Sequence, residues 1–267
     1  LFDKNINLLL IIRDRLGIKP LFYYYNQKKL LFSSSLKSIK KALSKININQ
    51  KNFLLFLTAN YVPNSESIYD NINKLKPGQY IRIQNKRIQF IKYWNLPYSE
   101  KLIKEDEFEE NLKSLIINSI KIQSRSDVEV ASMLSGGIDS SLISILFSKN
   151  SNNRIKTFCL DFLGKNKNES LDAEIVSKKI NSDHYFKEIN QSIFFSSIKK
   201  ISTLIDEPIS DNAVVPSYII SEMAKKENIK VILSGAGSDE IFGGYSRHYS
   251  SFRNFFYGVL RLDTNFS

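Results

Sequence analysis

The chain has 267 residues, 42% hydrophobic and 24% charged, with 38 Lys+Arg against 27 Asp+Glu and a formal charge of +11. That composition excludes a disordered chain and allows one large or two ordinary domains. One cysteine and two histidines exclude a disulfide scaffold and a Cys- or His-rich zinc site.

No apolar run nears the roughly 18–20 residues of a membrane span; Leu8 to Ile12 ends at Arg13. No signal-peptide pattern opens the chain, so a cytoplasmic protein without membrane contact is expected. The cations are dispersed in short pairs such as Lys28-Lys29 and Lys225-Lys226, beside abundant Ile and Asn. The charge therefore reads as composition rather than as a nucleic-acid footprint. Leu stands first in place of Met, so the chain reads as a fragment.

Residues 6–34 predict strands joined by tight turns: Ile6 to Ile12, then Leu16 to Pro20 as turn, Leu21 to Tyr25, a polar turn at 26–29, and Leu30 to Phe32. Stretches 34–46 and 50–60 predict helices, the first with Leu36, Ile39, Leu43 and Ile46 at helical spacing. The apolar stripe of 50–61 is expected in the core. Pro77-Gly78 opens a hairpin with Tyr80, Ile81 and Ile83 on one arm and Ile88, Phe90 and Ile91 on the other. Trp94 to Ser99 reads as a linker, Pro97 arguing against regular structure.

The pattern then changes. Glu105 to Ile122 predicts an amphipathic helix, with acids in its first turn and Phe108, Leu112, Leu115, Ile116 and Ile120 on one face. Strands at Val128 to Leu134, Ile155 to Leu160, His184 to Ile189 and Lys230 to Leu233 alternate with helices at 139–149, 169–181, 191–205 and 214–227. Such alternation implies a parallel sheet, with ligands beyond the carboxyl ends of its strands.

The strongest motif is Ser135-Gly136-Gly137-Ile138-Asp139-Ser140-Ser141, between a strand and a helix. Its glycines admit an anion close to the backbone, the helix start offers N–H groups, and the serines add donors. No Lys follows, so it is not a Walker loop, and the glycine spacing is not a dinucleotide fingerprint. Asp139 would repel a phosphate unless a cation stands between them, which reads as a magnesium ligand; the alternative is an Asp satisfying amides at a helix start. A second loop, Leu233-Ser234-Gly235-Ala236-Gly237-Ser238-Asp239-Glu240, also follows a strand and carries acids, with Gly243-Gly244-Tyr245 turning after it. Convergence of the two on one Mg–phosphate group favours the metal reading.

These residues resemble a known family. The first loop is similar to the pyrophosphate-binding loop of the ATP pyrophosphatases, and Leu233 to Tyr245 to the second loop of the glutamine-hydrolysing asparagine synthetases. Asp206-Glu207-Pro208 through Asp211 and Val215-Pro216 resemble that family's preceding loop. Arg13 to Tyr24 and Leu31 to Ser34 resemble the late part of its class II glutaminase domain.

The resemblance implies an α/β chain: residues 1–94 as the truncated, antiparallel β-rich end of the glutaminase domain with a linker hairpin, and 100–267 as a C-terminally truncated, parallel-sheet ATP pyrophosphatase domain of adenine-nucleotide α-hydrolase type. It implies adenylation of aspartate by ATP and attack by ammonia from glutamine, giving asparagine, AMP and pyrophosphate. Leu134, Ser135, Gly136, Gly137, Asp139, Ser140, Ser141, Leu160, Ser234 and Gly235 are then expected at ATP, and Asp139 and Asp239 at Mg2+. The strand Thr157 to Leu160 is expected beneath the adenine, and a homodimer is the expected assembly.

Three departures accompany the resemblance. The family's glutaminase opens on a catalytic cysteine, whereas the sole Cys159 lies mid-strand and reads as packing, so this chain is expected to lack glutaminase activity. Ala236 stands where the family often carries an acid tied to the adenylated intermediate, leaving Glu240 as the remaining acid beside it. A synthetase or cyclase acting on another carboxylate is therefore the alternative; an RNA-modifying pyrophosphatase or a nucleotide-binding remnant explains less. The family's domain also runs beyond residue 267. His184 reads as structural, His248 as a minor candidate for the site mouth, and Phe252 to Leu260 as an aromatic segment awaiting a packing partner. Ser135 is not a nucleophile elbow, since Met133 stands where that turn needs glycine.

Overall fold

The computed structural model describes residues 1–26, 28–43, 45–62, 65–98, 104–163 and 169–245. His248 and Phe252 to Leu260 lie outside these described residues. The chain divides into two compact units: residues 1–102 with 199–214, and 103–198 with 215–267.

The first unit contains β1 (Phe2–Asp3), β2 (Leu8–Ile12), β3 (Phe22–Asn26), β4 (Lys29–Ser33), α1 (Leu36–Ala42), α2 (Gln50–Ala59), β5 (Ile72–Lys74), β6 (Gln79–Gln84) and β7 (Arg87–Lys92). Two antiparallel sheets result, in the orders β1-β2-β6-β7 and β4-β3-β5. The β6–β7 hairpin turns through Asn85 and Lys86, both at positive φ (50° and 62°), as a type I′ two-residue connection requires. At the β3–β4 turn the Asn26 carboxamide oxygen accepts from the Lys28 and Lys29 amides at 3.0 and 2.7 Å, an Asx arrangement. Ile11 pairs across from Ile81, and both are buried with Leu75. Leu36 and Ile39 of α1 close a second core over Phe22 and Ile72, with Leu43 and Ile46 packed against it.

The helix expected over 34–46 is shorter than its apolar spacing, ending at Ala42 with Leu43 in extended conformation. Strands β1 and β5 carry no sequence signal of their own. The stripe over 50–61 is not core: Leu54 and Leu57 are 60% and 59% exposed, and Phe53 and Tyr61 are exposed too. Helix α2 docks instead through a polar residue, buried Asn52, whose Nδ2 donates to Ser67 O at 2.9 Å.

Residues 199–214 complete this unit from far along the chain. Ser35 leads into α1 without capping it by its own side chain. Asp206 does so instead, accepting from the Leu36 and Lys37 amides at 3.1 and 3.0 Å and from Ser35 Oγ at 3.1 Å. Glu207 accepts from the Ile68 amide at 3.0 Å and pairs with Lys74 Nζ at 2.8 Å in a largely covered position.

The second unit comprises α3 (Glu105–Gln123), β8 (Val130–Met133), α4 (Ile138–Asn150), β9 (Lys156–Phe162), α5 (Glu169–Ile180), β10 (Asp183–Ile189), most of α6 (Gln191–Leu204), α7 (Val214–Lys226), β11 (Val231–Leu233) and α8 (Ser238–Phe242). Its sheet has the order β10-β9-β8-β11 and every pair is parallel. Neighbouring residues on β8 serve opposite faces, as the strand period demands. Ala131 packs with Phe158 and with Ile220 and Ala224 of α7; Val130 packs with Ile120 of α3 and Phe147 of α4. Leu134, Cys159 and Ala173 of α5 form a third cluster. Helices thus cover both faces, the α/β parallel-sheet architecture expected from the alternation. On α3, Ile120 is buried and Ile116 packs against its cluster. Phe108 and Leu115, expected on the same inward face, are exposed, because the apolar arc of the helix is wider than its contact.

Candidate functional site

Strands β8 and β11 lie side by side, Val130 to Ser132 against Val231 to Leu233, in parallel. The loops leaving them therefore emerge at the same end of the sheet, where ligands of such sheets bind. Each loop runs through glycine into a helix. Gly137 caps α4 and Gly237 caps α8. Asp139 and Asp239 each occupy the second helical position, in the first turn of α4 and of α8. The loops touch: a β-carbon on Gly235 would stand 3.0 Å from Asp139 Cβ and 3.3 Å from the Ser140 amide nitrogen.

The first loop is braced from within. Ser140 Oγ accepts from the Ser135 amide at 3.1 Å, lies 2.9 Å from Ser135 Oγ, and donates to Gly137 O at 3.2 Å. With its one proton on that carbonyl, Ser140 takes the proton of Ser135, whose oxygen faces the Gly137 amide at 3.4 Å. Ser140, read from sequence as a ligand donor, is buried and spent on the loop's shape. Ser135 is exposed, as are Gly137 and Ser234, while Asp139, Gly136 and Gly235 are partly covered. Ser141 Oγ is shut off from solvent with no hydrogen-bond partner among the described residues. Gly136, at φ +81°, has no room for a side chain: a β-carbon would meet Glu169 O at 2.6 Å and Asp172 Cβ at 2.7 Å, at the start of α5. Leu134 is wholly buried and its amide donates to Phe158 O at 2.9 Å, so only its main chain can face a ligand. Leu160 is partly exposed near the end of β9, above buried Phe158 and Cys159.

Glu240 accepts from Tyr245 Oη at 2.7 Å and lies on the exposed side of α8. Ala236 is exposed, and its amide reaches Ser234 Oγ at 3.4 Å. Cys159 is 1% exposed. Burial, with Asp161 and Glu169 nearby, pushes its thiol up to about 11, which suits packing and not nucleophilic attack. His184 Nδ1 lies 2.9 Å from Thr157 Oγ1, itself 2.9 Å from Ser182 Oγ. Burial lowers the His184 pKa, so it is a neutral, structural histidine.

Asp161 is a site neighbour that the sequence reading missed. It is the next-to-last residue of β9, with one oxygen accepting from Ser170 Oγ at 2.7 Å and the other from the Phe162 amide at 2.8 Å. The available signal was an acid at the carboxyl end of a central parallel strand.

The donor set fits a magnesium–phosphate group. No side chain caps the first turn of α4, so its N–H groups stand ready for an anion, and the Ser141 hydroxyl is an orphan buried polar atom beside them. Among the described residues no three His, Cys, Asp or Glu side chains gather to hold a metal alone. Magnesium does not need that, since it takes one or two carboxylates and completes its shell with phosphate oxygens and water.

Fold and loops together define an α/β domain with two glycine-containing strand–loop–helix turns at one end of its parallel sheet. The chain belongs to the asparagine synthase family, whose model matches residues 111–261, and residues 1–94 match the glutamine amidotransferase domain. A Methanocaldococcus jannaschii protein, provisionally named glutamine-hydrolysing asparagine synthetase 2, is 36% identical over 259 residues, 95% of this chain and 50% of the relative. Bacillus subtilis asparagine synthetase [glutamine-hydrolyzing] 1 is 31% identical over 92% of this chain and 39% of its own length. Amidase chry2 of Gibberella zeae is 27% identical, with the same coverages. The chain thus spans half or less of the length of these relatives. No helix among the described residues is long and apolar enough to cross a membrane.

Proposed function

We propose that the second unit activates a carboxylate with ATP, as an acyl-adenylate that ammonia then converts to an amide. Aspartate is the proposed acid, glutamine or free ammonia the nitrogen source, and the cytoplasm the setting. Residues 1–94 are proposed as part of a glutaminase domain and 100–267 as part of an ATP pyrophosphatase domain. The observation that carries this reading is the contact of Gly235 with Asp139, which brings two glycine loops with matching carboxylates together on adjacent parallel strands.

In this reading the N–H groups in the first turn of α4 bind the leaving pyrophosphate, donors aimed where negative charge grows, and the exposed Ser135 hydroxyl joins them by turning its proton from Ser140 to the ligand. Ser140 keeps that loop in shape. Asp139 and Asp239 would hold Mg2+, which when bound neutralises phosphate charge. The main chain of Leu134, with Gly136, Gly137, Ser141, Leu160, Ser234 and Gly235, lines the nucleotide.

A second reading, amidation or cyclisation of another acid, is favoured by Ala236 and by the similarity to amidase chry2. Pyrophosphate release from ATP with Mg2+ and ammonia, measured across a panel of carboxylic acids, tests both. Release with aspartate supports the first reading and release only with another acid the second. Asp139→Asn and Asp239→Asn should each abolish release without loss of fold; unchanged release in both would remove the metal roles.

A further inference from the structure

Two glycines, one before α8 and one after it, stand against the two aspartates of the site. Gly235 is packed on Asp139, as described. Gly244 is packed on Asp239: a β-carbon there would run into Asp239 Oδ1, with Asp239 Cγ at 2.7 Å and Cβ at 3.2 Å. The turn that brings Gly244 back is held by Asp239 itself, whose carbonyl accepts from the Gly243 and Gly244 amides at 2.9 and 3.2 Å.

Gly243 sits at φ +79° and needs glycine for its backbone. Gly244 does not, since its φ lies outside the left-handed region and the residue is exposed. Neither conformation nor core packing asks for glycine there; the Asp239 carboxylate does.

We infer that Gly244 is a positioning residue that seats the Asp239 carboxylate in the rotamer from which it meets the metal. The inference rests on the metal role proposed for Asp239. The obstructing atoms belong to a short side chain, so a methyl group at 244 is relieved by rotating Asp239 about χ1 and not by unfolding. A one-methyl change on an exposed turn ordinarily leaves stability nearly unchanged. Magnesium, in contrast, demands near-octahedral geometry, so a misdirected carboxylate loses it.

The test uses the full chain as wild type, Gly244→Ala, Asp239→Ala and the double variant. Mn2+ is titrated in the presence of ATP, free Mn2+ being read by electron paramagnetic resonance, with thermal unfolding alongside. Each single change is expected to weaken Mn2+ binding at least tenfold, and the double variant to bind no more weakly than Asp239→Ala alone, the signature of one shared interaction. Wild-type affinity in Gly244→Ala beside a loss in Asp239→Ala overturns the seat and leaves the metal reading standing. So does a Gly244→Ala loss that adds in full to that of Asp239→Ala. Wild-type affinity in Asp239→Ala removes the metal role and the seat with it. If Gly244→Ala melts well below wild type, recovery of Tm in the double variant supports the clash, and no recovery overturns it.

Discussion

At the scale of single residues, the candidate site separates side chains open to solvent from those that hold the loops. Sequence alone gives the residue types but not that division. Ser135, Ser140 and Ser141 look alike in the motif, yet Ser135 is exposed, Ser140 braces the loop and the Ser141 hydroxyl is enclosed. The glycine need at 244 is equally illegible, because a tertiary neighbour sets it. Cys159 was legible, as an apolar strand position, and it supports a pH prediction. Its folded pKa of about 11 lies above the ordinary thiol value of 9.0, so its contribution is intact below pH 9 and lost as pH rises towards 11. Unfolding free energies of wild type and Cys159→Ala should therefore run parallel up to pH 9. Above it the wild type should lose, relative to the variant, on the order of 2 kcal/mol. Parallel curves throughout would contradict the buried, protonated thiol.

At the scale of elements, long periodic segments were readable and short or remotely supported ones were not. The strand–helix alternation from Val128 onward matches β8 through β11 because each element carries its own period. Strands β1 and β5 span two and three residues, too few to show alternation, and exist through pairing with β2 and β3. The apolar stripe of α2 signalled amphipathicity but not what would cover it. The cap of α1 was hidden for another reason: Asp206 lies 170 residues from the Leu36 amide it serves. Asp206→Ala should cost about 1 kcal/mol, within the roughly 0.5–2 kcal/mol range of lost helix caps, read by urea denaturation. Faster hydrogen exchange at the Leu36 and Lys37 amides should accompany it. Unchanged exchange there would show that water replaces the carboxylate without loss.

At the scale of the molecule, the chain crosses between its units after residues 102, 198 and 214, so neither unit is a continuous stretch of sequence. Ligand binding should register in the second unit, which holds the whole candidate site. At about 100 times its dissociation constant, MgATP should stabilise by about 2.7 kcal/mol, and a unit of this size gains about 2–4 °C per kcal/mol. Its melting transition should therefore rise by roughly 5–10 °C with MgATP, and by much less with ATP and a chelator. Equal shifts with and without divalent ion would argue against the paired aspartates as metal ligands.

The borrowed cap on α1 also sets a schedule for the newborn chain. At about 5–20 residues per second, the ribosome takes roughly ten to thirty seconds to travel from Leu36 to Asp206. Throughout that interval the N-terminal sheets emerge without their final fastening, and chaperone contact with them should end only once the acidic pair at 206–207 has been synthesised.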